Sequence, residues 1–142
     1  MKRHKATPAE ISIRRNAGYL EVIATTDAVT MPFLNLLLDT VEENVADIQG
    51  EFLMVLLEII APRVDISLIE AYEIWRRASA KGIRRTQIAY VVTGRPIGAV
   101  ARFMETVARN RGILLQFFAD RQCAMAWLLP ESAAQSGRDT RA

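Results

Sequence analysis

Apolar positions in this chain come in three arrangements, alternating, helically spaced and unbroken, and each predicts a different element. Residues 11–25, ISIRRNAGYLEVIAT, hold two β-rich runs around Asn16-Ala17-Gly18. That spacing predicts a hairpin, with Gly18 at a turn position that needs positive φ. In the second run Tyr19, Glu21 and Ile23 alternate with Leu20, Val22 and Ala24. The alternation is imperfect, which suits a strand covered on both faces.

Residues 31–48 set Phe33, Leu34, Leu37, Leu38, Val41, Val45 and Ile48 at helical spacing, with Thr30 before Pro32 as a start signal and Gly50 as a stop. Asp39, Glu42, Glu43 and Asp47 would take the solvated side of this helix. FLMVLLEII, residues 52–60, is apolar apart from Glu58 and reads as a central strand of a parallel sheet. A second helix is expected from Ser67 to Lys81, closed by Gly82, with Leu68, Ile69, Tyr72 and Trp75 as its apolar stripe. IAYVV, residues 88–92, is another central strand, followed by a turn at Thr93-Gly94-Arg95-Pro96.

The third helix turns Ile97, Val100, Phe103, Met104, Val107 and Ala108 one way and Arg102, Glu105, Arg109 and Arg111 the other, and Gly112 ends it. Residues 113–118 form the last strand, and Asp120 caps a short final helix that turns Ala124, Trp127 and Leu128 inward. The order is β-β-α-β-α-β-α-β-α. It implies an α/β domain over residues 10–129: a mostly parallel sheet of about five strands with an N-terminal hairpin, covered by four helices. Residues 1–9 read as a flexible basic N-terminus and 130–142 as a disordered tail.

Composition narrows the function. The chain has 142 residues, 51% of them hydrophobic and 24% charged, as expected of one globular domain. No apolar run approaches the roughly 18–20 residues that span a bilayer, and the N-terminus lacks the apolar core of a secretory signal. A cytoplasmic protein without membrane insertion is the expectation. With one cysteine, Cys123, and one histidine, His4, neither a multi-cysteine metal site nor a histidine-activated nucleophile can be assembled. No metal, no cofactor and no catalytic residue are expected. Cys123 reads as a small core or boundary residue, and Met31, Met54, Met104 and Met125 as scattered packing residues.

Net charge is only +2, but it is split along the chain. Residues 16–75 hold eleven acids against Arg63, and residues 76–121 ten bases against Glu105 and Asp120. The bases have no aromatic residues interleaved, which argues against nucleic acid and for faces that attract each other within or between chains.

The C-terminal half carries a family resemblance. QIAYVV (87–92), FMETVARNRGILLQFF (103–118) and ADRQCAMAWLL (119–129), with Asp120, Ala124, Trp127 and Leu128 at its end, resemble the SpoIIAA-like family of small bacterial proteins. That family shares the STAS fold of anti-sigma-factor antagonists. The resemblance implies a non-enzymatic domain working through protein contacts. It implies an acid at the end of the third strand, here Glu58. It also implies a loop after that strand carrying Asp-Ser-Ser or Asp-Thr-Ser, whose last serine loses partner binding when phosphorylated. This chain has Asp65-Ile66-Ser67 there, departing from the pattern at Ile66 and again at Leu68, where a glycine usually follows.

Ser67 therefore has two readings. One is the phosphoacceptor, with Asp65. The other is a capping box over Ser67-Leu68-Ile69-Glu70, in which Ser67 and Glu70 satisfy each other's backbone N–H. Arg63, Arg95 and Arg121 each follow a predicted parallel strand and could converge on an anion beyond the strand ends, where ligands gather in open parallel sheets. The leading expectation is a domain that contacts a protein partner or a second copy, and the excess of Phe33, Leu34, Leu36, Leu37 and Leu38 on the first helix supplies surface for it. The alternative is a module that binds an anionic or lipid-like small molecule at the strand C-termini, rimmed by the three arginines.

Overall fold

The computed structural model describes residues 9–45, 53–80, 86–93 and 97–129. The expected flexible N-terminus (bar Ala9) and disordered tail lie outside these residues, as do Asp47, Ile48, Gly50, Lys81, Gly82 and the loop with Arg95.

Among the described residues a five-stranded sheet has the order β1-β2-β4-β6-β7. Strands β1 (Glu10–Asn16) and β2 (Tyr19–Thr25) form the antiparallel hairpin, closing at Asn16↔Tyr19. Gly18 has φ 88°, a conformation that suits glycine because it has no Cβ. Strands β4 (Leu53–Ile60), β6 (Thr86–Thr93) and β7 (Leu114–Phe118) continue the sheet in parallel. A second sheet, absent from the sequence expectation, pairs β3 (Ala28–Val29) with β5 (Arg63–Val64). At two residues each, these strands are too short to leave a periodic signal.

The helices are α1 (Met31–Val45), α2 (Leu68–Ala80), α3 (Ala99–Asn110) and α4 (Arg121–Leu128). Each of α1, α2 and α3 links one strand to its immediate parallel neighbour, always stepping the same way across the sheet. Right-handed crossovers that step one way put all three helices on one face. The core follows. Leu20, Val22, Val55, Leu57, Ile59, Ile88, Tyr90, Leu115 and Phe117 point from the strands into α1–α3, whereas Leu56, Ala89 and Val91 point to the other face and meet Ala124 and Leu128 of α4.

Two local signals work as expected. Gly112, with φ 86°, ends α3 in a Schellman arrangement: its N–H donates to Arg109 and that of Ile113 to Ala108. Asp120 caps α4 by accepting the Cys123 N–H at 2.8 Å.

Three expectations are corrected. The buried stripe of α2 is Ala71, Ile74, Trp75 and Ala78, while Leu68, Ile69 and Tyr72 are exposed. The inward face is set by spacing from Trp75, and its alanines were hidden by the larger apolar side chains beside them. On α1, Phe33, Leu34 and Leu37 are buried and Leu38 packs against the core. The surplus thus shrinks to Leu36. Cys123 is exposed, because α4 turns Ala124 and Leu128 to the sheet instead.

Candidate functional site

Ser67 ends the segment that leaves β5 and precedes the first residue of α2. Both bonds of the capping box are present: the Glu70 N–H donates to Ser67 Oγ at 3.1 Å, and the Ser67 N–H donates to Glu70 Oε1 at 2.9 Å. Two first-turn donors that the helix itself cannot satisfy are thereby paired. Ser67 remains exposed. Asp65 is tied down twice: its N–H donates to the Val29 carbonyl at 2.7 Å, and its Oδ2 accepts from Arg63 Nε at 2.9 Å.

Around this cap the surface is apolar. Leu68 is 50% exposed, Ile69 76% and Tyr72 38%, and Val64 lies just before them. Leu68 and Tyr72 are one helical turn apart, so they share a side of α2. Arg111, at the end of α3, lies over the Tyr72 ring at 5.2 Å and donates to its hydroxyl.

The arginines do not converge. Arg63 pairs with Asp65, on the side of the β3–β5 sheet. Arg121 belongs to α4, on the opposite face of the main sheet, and Arg95 lies outside the described residues. The physical reason is topological. A sheet whose strand order steps one way has no point where successive connections part to opposite faces, and that parting is what opens the usual ligand crevice.

Arg121 has another task that sequence reasoning missed. Its guanidinium donates to Glu21 at 2.5 Å and to Glu58 at 3.3 Å, and Glu58 accepts from the Thr93 hydroxyl at 2.7 Å. Arg14 approaches Glu21 at 3.8 Å. Glu21 is only 7% exposed. The hydrogen bond to Glu21 is the main reason the Arg121 pKa is raised above its ordinary value. The signal that could have found this network is the register: Glu21 and Glu58 point outward from adjacent parallel strands, two residues out of step. Glu58 does meet an arginine at its strand end, as expected from sequence. The charges are mutually neutralised, and among the described residues no His, Cys, Asp or Glu group is placed to hold a metal ion.

Two cavities lie under the three-helix layer. The inner one, about 80 Å³, is bounded by α1, α2 and the sheet, with Leu37, Val41, Leu57, Trp75 and Ala78 in its wall. The outer one, about 300 Å³, lies towards the C-terminal strand ends, between the segment of Val64 and Ile66 and the start of α3. Leu34, Tyr90 and Met104 border both. No helix among the described residues is long and apolar enough to cross a membrane.

No family model and no curated protein matches the chain. Among solved structures it is similar to that of an uncharacterised DUF3478-family protein with a SpoIIAA-like fold from Shewanella loihica PV-4. The TM-score is 0.56 at 15% identity, over 90% of this chain and 98% of the other. With the hairpin, the parallel β4-β6-β7 core and the layer of α1, α2 and α3 already in place, the conclusion is that this chain has the SpoIIAA-like fold.

Proposed function

We propose that this STAS-like domain is a non-enzymatic contact module, whose partner surface is the exposed apolar start of α2 beside Ser67. The observation that carries this reading is the exposure of Ile69, Leu68 and Tyr72 on a capped, ordered helix. Large side chains left in water at a rigid element are enriched where a protein docks. Ser67 sits at the edge of that patch, and a phosphate there would be stabilised by the helix N-terminus while placing charge against any apolar partner.

The test is purification from the native host under phosphatase inhibition, with mass spectrometry of the chain and of what accompanies it. The reading expects a stoichiometric protein partner that Ile69→Asp loses, and that Ser67→Asp releases while Ser67→Ala retains. A partner held equally by wild type and Ile69→Asp would overturn the surface assignment. Equal binding by the two Ser67 variants would overturn the switch.

The cavities favour a second reading, a small apolar ligand held under the helix layer. It keeps the ligand module suggested by the sequence but moves it to the interior and dispenses with the three arginines.

A further inference from the structure

The second reading gains a chemical identity from the first turn of α3. Of the residues that line the outer cavity, Tyr90 alone carries a side-chain hydroxyl or amine, so the remaining strong hydrogen-bonding groups that the wall offers are backbone. The wall includes Gly98, Ala99, Val100 and Ala101, the start of α3. Gly98 is the N-cap, in extended conformation (φ −107°, ψ −169°), and gives the helix no side-chain cap. The first-turn N–H groups of a helix have no partner within it, and here no serine or aspartate replaces one. The space beside Gly98 is open: a Cβ built there meets nothing within 4 Å. A helix of 12 residues also places the positive end of its dipole at this mouth.

A second observation lies deeper. Trp75, 8% exposed, lines the inner cavity, and its indole N–H is buried without an acceptor. A donor left unpaired in an apolar wall is a cost that finished cores avoid. Donors without acceptors thus occur at both ends of an apolar passage, and carboxylates such as those of Glu and Asp are absent from its lining.

We propose that this passage binds a medium-chain carboxylate amphiphile, with its carboxylate on the N–H groups of Ala99 and Val100 and its chain running past Leu34 and Met104 toward Trp75. The inference rests on the second reading above. A water-sized group occupies about 30 Å³, so an outer cavity of about 300 Å³ takes about ten such groups, the size of a ten-carbon chain.

The test uses the full chain carrying Trp127→Phe. Trp75 is then the only tryptophan left of the two, and its emission reports on the passage. Decanoate and 1-decanol are titrated in parallel. Decanoate is expected to shift Trp75 emission and to bind at least tenfold more tightly than decanol. Gly98→Asp supplies both a cap and a fixed negative charge. It is expected to keep the fold, to weaken decanoate at least tenfold and to leave decanol unchanged. If decanol binds as tightly as decanoate, or Gly98→Asp binds decanoate normally, the carboxylate assignment is wrong while the cavity reading stands. If neither probe binds, both are wrong.

Discussion

The two faces of the main sheet are built to different standards. One carries α1, α2 and α3 over a core of strand residues that includes Leu20, Val22, Ile59 and Leu115, each at most 2% exposed. The other carries α4 alone, eight residues long, over Leu56, Ala89 and Val91. Connections that all step one way force this inequality, because right-handed crossovers leave the second face to whatever follows the last strand. The shortfall in cover is met by charge. Glu21, Glu58, Arg121 and Thr93 form a linked set that ties α4 to β2, β4 and β6. The helical face, in turn, holds the cavities and the exposed start of α2. Stability devices collect on one face and binding features on the other.

Core truncations should break this comparison most forcefully. Ile59→Ala, under three helices, should cost about 4 kcal/mol, near the upper part of the range for buried aliphatic truncation. Leu56→Ala, equally buried but covered by α4, should cost about 2–3 kcal/mol, since a short terminal helix can settle into the space. Equal losses in urea unfolding would erase the distinction between the faces.

Arg121→Met comes next, at about 2 kcal/mol. Exposed ion pairs contribute roughly 0–1 kcal/mol and breaking a buried one costs roughly 3–5 kcal/mol, and Arg121 is partly exposed while Glu21 is not. Amide exchange should speed in α4 and leave α1–α3 unchanged. A uniform change across all four helices would show that the charge network supports the whole domain instead of one helix.

Ser67→Ala should lose about 1 kcal/mol through the cap, and Ser67→Asp almost nothing, because aspartate caps equally well. Thermal melts of the pair separate the cap from any effect of charge on binding. The smallest effect concerns Cys123. Its thiol pKa is raised, first by its hydrogen bond to Asp120 and then by that residue's charge. A raised pKa leaves less thiolate at any pH below it, so iodoacetamide should react more slowly than with an ordinary exposed thiol. Asp120→Asn keeps a competent cap, removes the charge and should speed the reaction. An unchanged rate in that variant would remove Asp120 as the cause.

What could be read from the sequence was what short range determines. The hairpin at Gly18, the capping box of Ser67 and Glu70, the Asp120 cap and the stop at Gly112 each depend on a few adjacent residues, and each is present. The strands β4 and β6 were legible because an unbroken apolar run of that length fits a strand buried on both faces. Facing was less legible. Leu68 and Tyr72 looked inward because they are large and apolar, yet Ala71 and Ala78 hold those positions with small side chains. The three arginines looked convergent because each follows a strand, but following a strand does not say on which face a residue emerges. The link between Glu21 and Arg121 spans 100 residues, and only the register of β2 against β4 brings it about.

The division of labour between the faces is tested most directly by site-specific photocrosslinking in the native host. A photoreactive residue replaces Ile69 at the start of α2 in one culture and Gln122, exposed on α4, in another. The account predicts a discrete protein adduct from position 69 and none from position 122. An adduct from position 122 alone, or the same adduct from both, would contradict it.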